Sequence, residues 1–390
     1  KFVWHFLHWT LSLPSNKKSN NMEKTTIGEL IKTFFRLGSI AFGGPAAHIA
    51  MLEDVVVNKK KWLSKEHFLD LVGATNLIPG PNSTEMTMHI GYERAGWKGL
   101  FAAGISFIFP AVIITMVLAW LYVHYGQLPE VEPFIYGIKP AVIAIIAFAV
   151  YSLGKKALKN IELGILGVLT VTACLLGVHE IVALFGSGFI GILLYYAKQK
   201  NTTLNSINPF AVAIFTTLNL KILWIFFKVG ALLYGSGYVL FAFLDAELVS
   251  TGIISRLELM DAVAVGQFTP GPVLSTATFV GWQINGFWGA IAATIGIFLP
   301  SFIFVWILNP IIPKLRKSKP MSAFLDAVNM AAVAVILAVC ITMSIDTLQD
   351  WRTIVIAVLG FGATFFIKNL NSVYLVLGGS VLGYLLLLIN

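Results

Sequence analysis

The sequence predicts an all-α polytopic membrane protein made of two inverted-topology repeats, each with about five spans plus a re-entrant broken helix hairpin at a Pro-Gly-Pro motif. Three observations predict it. The 390 residues are 57% hydrophobic and only 12% charged, with a mean hydropathy of +0.82, which excludes an ordinary soluble globule. An interruption built on Pro-Gly-Pro is written twice, as Asn76-Leu77-Ile78-Pro79-Gly80-Pro81-Asn82-Ser83-Thr84 and Phe268-Thr269-Pro270-Gly271-Pro272-Val273-Leu274-Ser275-Thr276, with Pro79 and Pro270 191 residues apart. Equivalent loops of the two halves carry opposite charge bias.

In chain order, residues 1–26 are expected to lie outside the fold. The apolar run from Phe2 to Leu13 falls well short of the roughly 20 residues that span a bilayer. No small-residue cleavage site precedes Ser15 to Asn21, so a signal peptide is a weak reading, and Met22 is a candidate start. Apolar segments then follow at 27–57, 68–90 (broken), 99–123, 134–153, 161–177 and 180–197. The same series recurs at 218–244, 257–284 (broken), 287–308, 322–343, 353–367 and 372–389. The first repeat is therefore 27–200, the polar stretch 201–208 a linker, and the second repeat 209–390.

The duplication extends beyond the breaks. Phe35-Arg36-Leu37-Gly38 answers Phe227-Lys228-Val229-Gly230, Ser64 and Asp70 answer Ser255 and Asp261, and Gly96, Gly99 and Pro110 answer Gly286, Gly289 and Pro300, at offsets of 190 to 192. The loop after 99–123 holds His124, Glu130 and Glu132 with no Lys or Arg, whereas its counterpart holds Lys314, Arg316, Lys317 and Lys319. Basic loops face the cytoplasm, so the first loop is outside and the second inside. Each half then needs an odd number of crossings. Five spans plus a re-entrant hairpin satisfy this; an alternative in which the Gly-rich first element is also re-entrant changes the count. Parity puts the C-terminus outside.

In lipid every backbone N–H and C=O needs a partner, so a Pro-Gly-Pro break at membrane depth is tolerable only beside protein or a watery cavity. The expected form is a helix that stops, turns at glycine and restarts near Pro81 or Pro272, with its free N–H groups facing a cavity.

Gly43-Gly44-Pro45-Ala46-Ala47-His48, Trp62-Leu63, Pro79-Gly80-Pro81-Asn82-Ser83-Thr84 and Gly91-Tyr92-Glu93-Arg94-Ala95-Gly96-Trp97-Lys98-Gly99, in this order and with a second Pro-Gly-Pro copy, resemble the chromate ion transporter family in its long, two-domain form. The resemblance covers roughly Ile27 to Asn390. It implies a secondary active exporter of chromate in the inner membrane, driven by the proton gradient, with sulfate as the look-alike substrate. The second copy departs from the pattern: Gly44-Pro45-Ala46-Ala47-His48 becomes Ser236-Gly237-Tyr238-Val239-Leu240. The halves are therefore expected to be functionally unequal.

The chemistry of the residues agrees in sign. A tetrahedral dianion needs many N–H and O–H donors and one or two fixed cations, and opposed helix N-termini supply donors with partial positive charge. The candidate binding set is Gly43, Gly44, His48, Asn76, Pro79, Gly80, Pro81, Asn82, Ser83 and Thr84, answered by Gln267, Thr269, Pro270, Gly271, Pro272, Ser275 and Thr276. Arg36 and Lys228 are the candidate cations, because a charge in an apolar element is costly unless it faces a cavity; snorkelling or a structural ion pair is the competing reading. Arg94 and Lys139 could each lie at the membrane surface. Glu85, His89 and Glu93 recur every four residues and share one helix face, where they could carry protons. In the competing reading Glu85 accepts a structural hydrogen bond and Glu93 pairs with a surface charge. Lone Cys174 and Cys340 read as core, and no metal or cofactor is expected.

Other classes fare worse. The chain has no His-Glu-x-x-His, no Walker loop and no Gly-x-Ser-x-Gly, so an enzyme is not expected. The net charge of +8 sits in short inter-span clusters, against nucleic-acid binding. A passive oxyanion channel, or a carrier for sulfate or another oxyanion, would use the same features, and a homodimer is compatible with them.

Overall fold

The structure, a computed structural model, describes residues 25–41, 44–75, 77–126, 131–198, 218–234, 237–308, 319–367 and 370–389. Among these every element is helical. The first half comprises α1 (Ile27–Ile40), α2 (Gly44–Glu53), a π-helical stretch Asp54–Lys59, α3 (Lys65–Thr75), α4 (Asn82–Tyr125), α5 (Glu132–Ala157), α6 (Ile161–Leu175) and α7 (Glu180–Lys198). The second comprises α8 (Leu218–Leu232), α9 (Val239–Leu244), a π-helical stretch Asp245–Val249, α10 (Arg256–Phe268), a 3-10 turn Val273–Ser275, α11 (Thr276–Leu308), α12 (Lys319–Thr347), α13 (Trp351–Phe366) and α14 (Ser372–Leu387). The linker 201–208, Gly43, Asn76, Glu130, Lys314, Arg316 and Lys317 lie outside the described residues.

Local chemistry sets the boundaries. Thr26 caps α1 by accepting from the Glu29 amide, and Ser255 with Glu258 forms a capping box at α10. Both α4 and α11 are broken internally, at Ala95–Gly96 and at Asn285–Gly286, where Gly96 and Gly286 take φ of +61° and +54°. Residues eight apart in a straight helix are about 12 Å apart. Here a Cβ on Gly91 would run into the Gly99 carbonyl, and one on Gly281 into that of Gly289. Each break is therefore a full reversal, dividing α4 into arms 82–94 and 97–125, and α11 into arms 276–284 and 287–308.

Contacts between arms define hairpins. His67 on α3 meets Glu93 at 3.4 Å, and Gln283 on α11 donates to the Glu258 carbonyl on α10 at 3.4 Å, so each Pro-Gly-Pro is the tip of a hairpin whose feet lie together. The apolar run 27–57 is not one straight element. It breaks after Ala41, and Lys60 returns to Glu29 at 2.6 Å, because the Gly43-Gly44-Pro45 stretch stops the first helix. The 97–125 arm of α4 leaves the first-half feet and runs about 40 Å, to where Tyr122 reaches Asp261 near the foot of α10.

Five of the described helices are long and apolar enough to cross a membrane: α4, α5, α7, α11 and α12; α6, α13 and α14 are apolar but shorter. Large side chains stay exposed on the periphery, Phe366 at 89% and Leu176 at 80%, as a lipid-facing surface requires. Inside, small residues let backbones touch: Gly38 abuts the Phe107 backbone, Gly230 that of Ile297, and Gly137 that of Gly379. One core joins both halves through residues such as Ile143, Phe226, Phe279 and Val335, while Phe34, Phe68, Met86 and Phe107 form a first-half core.

Candidate functional site

Each tip is shaped by its glycine. Gly80 takes φ of +142° and Gly271 φ of +91°, backbone that side-chain-bearing residues rarely adopt, between prolines that have no N–H to leave unsatisfied. The glycine amides cross between halves. Gly80 N–H donates to the Leu233 carbonyl just past α8, and Gly271 N–H to the Ala41 carbonyl that caps α1, each at 2.7 Å. Ala41 and Leu233 stand at equivalent places, 192 residues apart, so the two bonds are counterparts.

The surroundings of the two tips are unequal. A Cβ on Gly80 would meet the Ser301 hydroxyl and a Glu85 carboxylate oxygen; one on Gly271 would meet Ala111 at 2.7 Å. Ala111 and Ser301 each follow the proline inside a long helix, Pro110 or Pro300. The polar pair Glu85 and Ser301 at the first tip thus corresponds to Thr276 and Ala111 at the second. Ser301 is the electrostatic neighbour of Glu85. Neither side chain has a hydrogen-bond partner among the described residues, so the two lie side by side without a formed bond.

His48, 1% exposed, ties the tips together. Its Nε2 lies 2.9 Å from the Ala41 carbonyl, which only a donor can satisfy, so Nδ1 at 3.3 Å accepts from the Ser83 hydroxyl. One carbonyl therefore receives both His48 and Gly271. Ser83, Thr84, Ser275, Thr276, Thr269 and Gln267 are all buried beside the tips, as are Pro79, Pro81, Pro270 and Pro272. Thr269 and Ser275 hydroxyls approach at 3.4 Å, and Thr276 donates to Val273. Thr84 Oγ1 and Gln267 Nε2 have no hydrogen-bond partner among the described residues. Asn82 opens α4 and Gly44 opens α2.

The sequence paired Arg36 with Lys228 as like cations, and the structure places them differently. Lys228 forms a 2.6 Å ion pair with Glu247, whose other oxygen is 3.6 Å from His179, whereas Arg36 lies exposed on α1. Glu85 and His89 are fully buried, and Glu93 reaches His67 at the foot rather than Arg94. Arg94 instead donates to Thr25 and the Trp62 carbonyl. Lys139 is drawn inward to Asp261 at 3.4 Å, where Tyr122 also donates at 2.5 Å.

Ser301, Tyr234 and Asp261 escaped the sequence reading. Asp261, the deeper of two acids in the apolar run 257–284, was the available signal; Ala41 and Leu233 act through their backbones and offered none. No group of three or more His, Cys, Asp or Glu among the described residues is placed to hold a metal ion. A cavity of about 190 Å³ lined by Asn160, Glu162, Tyr195 and Asp326 lies between α6, α7 and α12, away from the tips.

Fold and site together define a polytopic α-helical membrane protein in two like halves. The chain belongs to the chromate transporter family, whose model matches twice, over residues 28–192 and 220–384. It is 29% identical over 371 residues to the chromate transport protein of Cupriavidus metallidurans, covering 92% of both chains. To the probable chromate transport protein of Synechococcus elongatus it is 29% identical, covering 86% of this chain and 88% of that one. An uncharacterized transporter of Methanocaldococcus jannaschii is 30% identical, over 96% of this chain and 99% of its own. No solved structure matches.

Proposed function

We propose that this protein is a secondary active transporter that exports chromate across the inner membrane, coupled to the proton gradient. The observation that carries this reading is the reciprocal pair of bonds from Gly80 to Leu233 and from Gly271 to Ala41. It supports two inverted repeats, 27–200 and 209–390, whose re-entrant hairpins meet tip to tip about 20 Å from their feet, near the middle of a bilayer core about 30 Å thick. The feet of the two halves lie toward opposite ends of the long arm of α4, in keeping with inversion.

On this reading the anion sits between the tips, held by amides at the starts of α4 and α11 and by hydroxyls of Ser83, Thr84, Ser275 and Thr276. Gln267 adds a buried amide donor, and Arg36 and Lys228 supply positive charge on the approaches. Backbone and hydroxyl donors suit four oxygens in tetrahedral array and occupy no fixed counter-charge that would hold the anion too tightly to release. Glu85, beside the first tip, carries the coupling proton. A dianion and a deprotonated Glu85 repel each other, so binding of the anion favours binding of the proton and loss of the proton favours release of the anion, which is reciprocal linkage.

The test is flux of labelled chromate in proteoliposomes under an imposed pH gradient, with sulfate as competitor. Gradient-driven accumulation resisted by sulfate is expected. Sulfate transport in preference to chromate would reassign the substrate, and flux indifferent to the gradient would make the protein a passive channel.

A further inference from the structure

We propose that the coupling proton reaches water through a row of side chains on one face of α4, from Glu85 at the tip through His89 to Glu93, with His67 of α3 as the terminal group at the foot. This rests on the transport reading above and adds a route, a port and a side to it. Glu85, His89 and Glu93 are spaced by four residues, which makes consecutive members neighbours about 5–6 Å apart at Cβ on the helix surface. Glu85 to Glu93 is about 12 Å along the axis. Glu93 Oε1 then meets His67 Nε2 at 3.4 Å, across the hairpin.

Exposure grades along the row. Glu85 and His89 are 0% exposed, while the Glu93 and His67 side chains are 38% and 43% exposed. Such a row begins beside the substrate tip and ends in water, and a purely structural acid at the tip would need neither the second nor the third group. The other titratable or charged groups near it are accounted for. Ser301 lies beside Glu85 at the tip, and Tyr234 is within electrostatic reach of it. Asp70 lies near His67, on the same helix, and Arg94 is turned away to Thr25 and Trp62.

The second half has no such row. The places of Glu85, His89, Glu93 and His67 are taken by Thr276, Val280, Ile284 and Glu258. Protons therefore use a fixed path on one side only, the side of the first-half feet with Lys59, Lys60, Lys61 and Lys65; on the other side they share the water-filled route of the anion. Each transfer moves one proton from one group to the next and restores the first group, so the row returns to its starting charge after each passage.

The experiment compares two assays on the full chain in proteoliposomes: chromate flux driven by a pH gradient, with a trapped pH-sensitive dye reporting protons, and chromate-for-chromate exchange without a gradient. Glu93→Gln and His67→Gln should slow driven flux and proton movement about tenfold or more, as loss of a proton-transfer group does, with exchange changed less than about twofold. Glu93→Asp, which keeps a carboxyl, should recover most of the driven rate. Driven flux unchanged in both Gln variants, or exchange lost in step with it in well-folded protein, overturns the row. Wild-type flux without any proton movement would instead overturn the coupled-transport reading, and the row with it.

Discussion

The Gly271 amide on the second hairpin tip donates to the Ala41 carbonyl at 2.7 Å, and the same oxygen receives His48 Nε2 at 2.9 Å. A single main-chain acceptor thus joins the end of α1, the start of the second long broken helix and, through Ser83, the start of the first. Any motion that parts the tips must give these bonds new partners, because a buried N–H left unpaired costs about 1–3 kcal/mol.

The tip glycines should be irreplaceable. Gly80→Ala forces a Cβ onto Ser301 and Glu85 at a φ of +142°, which should cost about 1–3 kcal/mol of strain and abolish chromate flux. Gly96→Ala, at φ +61° and ψ −152°, meets open space but needs backbone that glycine alone readily adopts; it should cost a similar strain of about 1–3 kcal/mol, with flux of the folded protein nearly intact. Thermal unfolding in detergent alongside proteoliposome flux distinguishes the two; equal loss of flux in both would remove the special role of the tip.

Lys139 and Asp261 form a partly buried ion pair across the halves. Lys139→Met should destabilise the protein by about 3 kcal/mol by leaving a buried carboxylate without its counter-ion, with only the Tyr122 hydroxyl still donating to it, and adding Asp261→Asn should recover much of that loss. Melting temperatures of the two singles and the double decide it. A double variant no better than Lys139→Met would show that the pair is not coupled.

The two cations should separate by function. Arg36→Gln should weaken chromate binding about tenfold by removing one charge from the approach, with little change in stability, since Arg36 is exposed. Lys228→Gln leaves Glu247 with only the more distant His179 and should lower stability as well, and Lys228→Gln with Glu247→Gln should restore stability without restoring affinity. Calorimetric titration with chromate measures the binding; unchanged affinity in both cation variants would leave them purely structural.

Glu85→Gln should still bind the oxyanion, and more tightly, because a neutral amide cannot repel it, yet flux should no longer follow the pH gradient. In the wild type, lowering pH on the binding side favours protonated Glu85 and so favours anion binding, whereas the variant should bind equally at all pH values where chromate keeps its charge. Full gradient dependence in Glu85→Gln would move the carrier role to His48 or Glu93.

Much of this molecule is determined by local sequence. Composition alone places it in a membrane, since 57% hydrophobic residues leave too little polar surface to face water. Glycines and prolines at constant offsets mark the duplication, because a reversal such as Gly96 or Gly286 and a tip such as Gly80 or Gly271 demand φ values that few other residues adopt. The i, i+4 row from Glu85 to Glu93 follows from helical periodicity once α4 is known to start at Asn82.

Tertiary structure decided what those residues meet. That Ala41 and Leu233 would accept the tip amides could not be read from apolar side chains, since their carbonyls are common to every residue. Ser301 against Glu85, Glu247 against Lys228 and Asp261 against Lys139 join positions 216, 19 and 122 residues apart. Charge and hydrogen-bonding capacity are properties of single residues, but the neighbour each one meets is fixed only when the helices pack. The first apolar run shows the same division: its glycines announced a break, and only the Lys60 to Glu29 contact decided that the chain turns back on itself there.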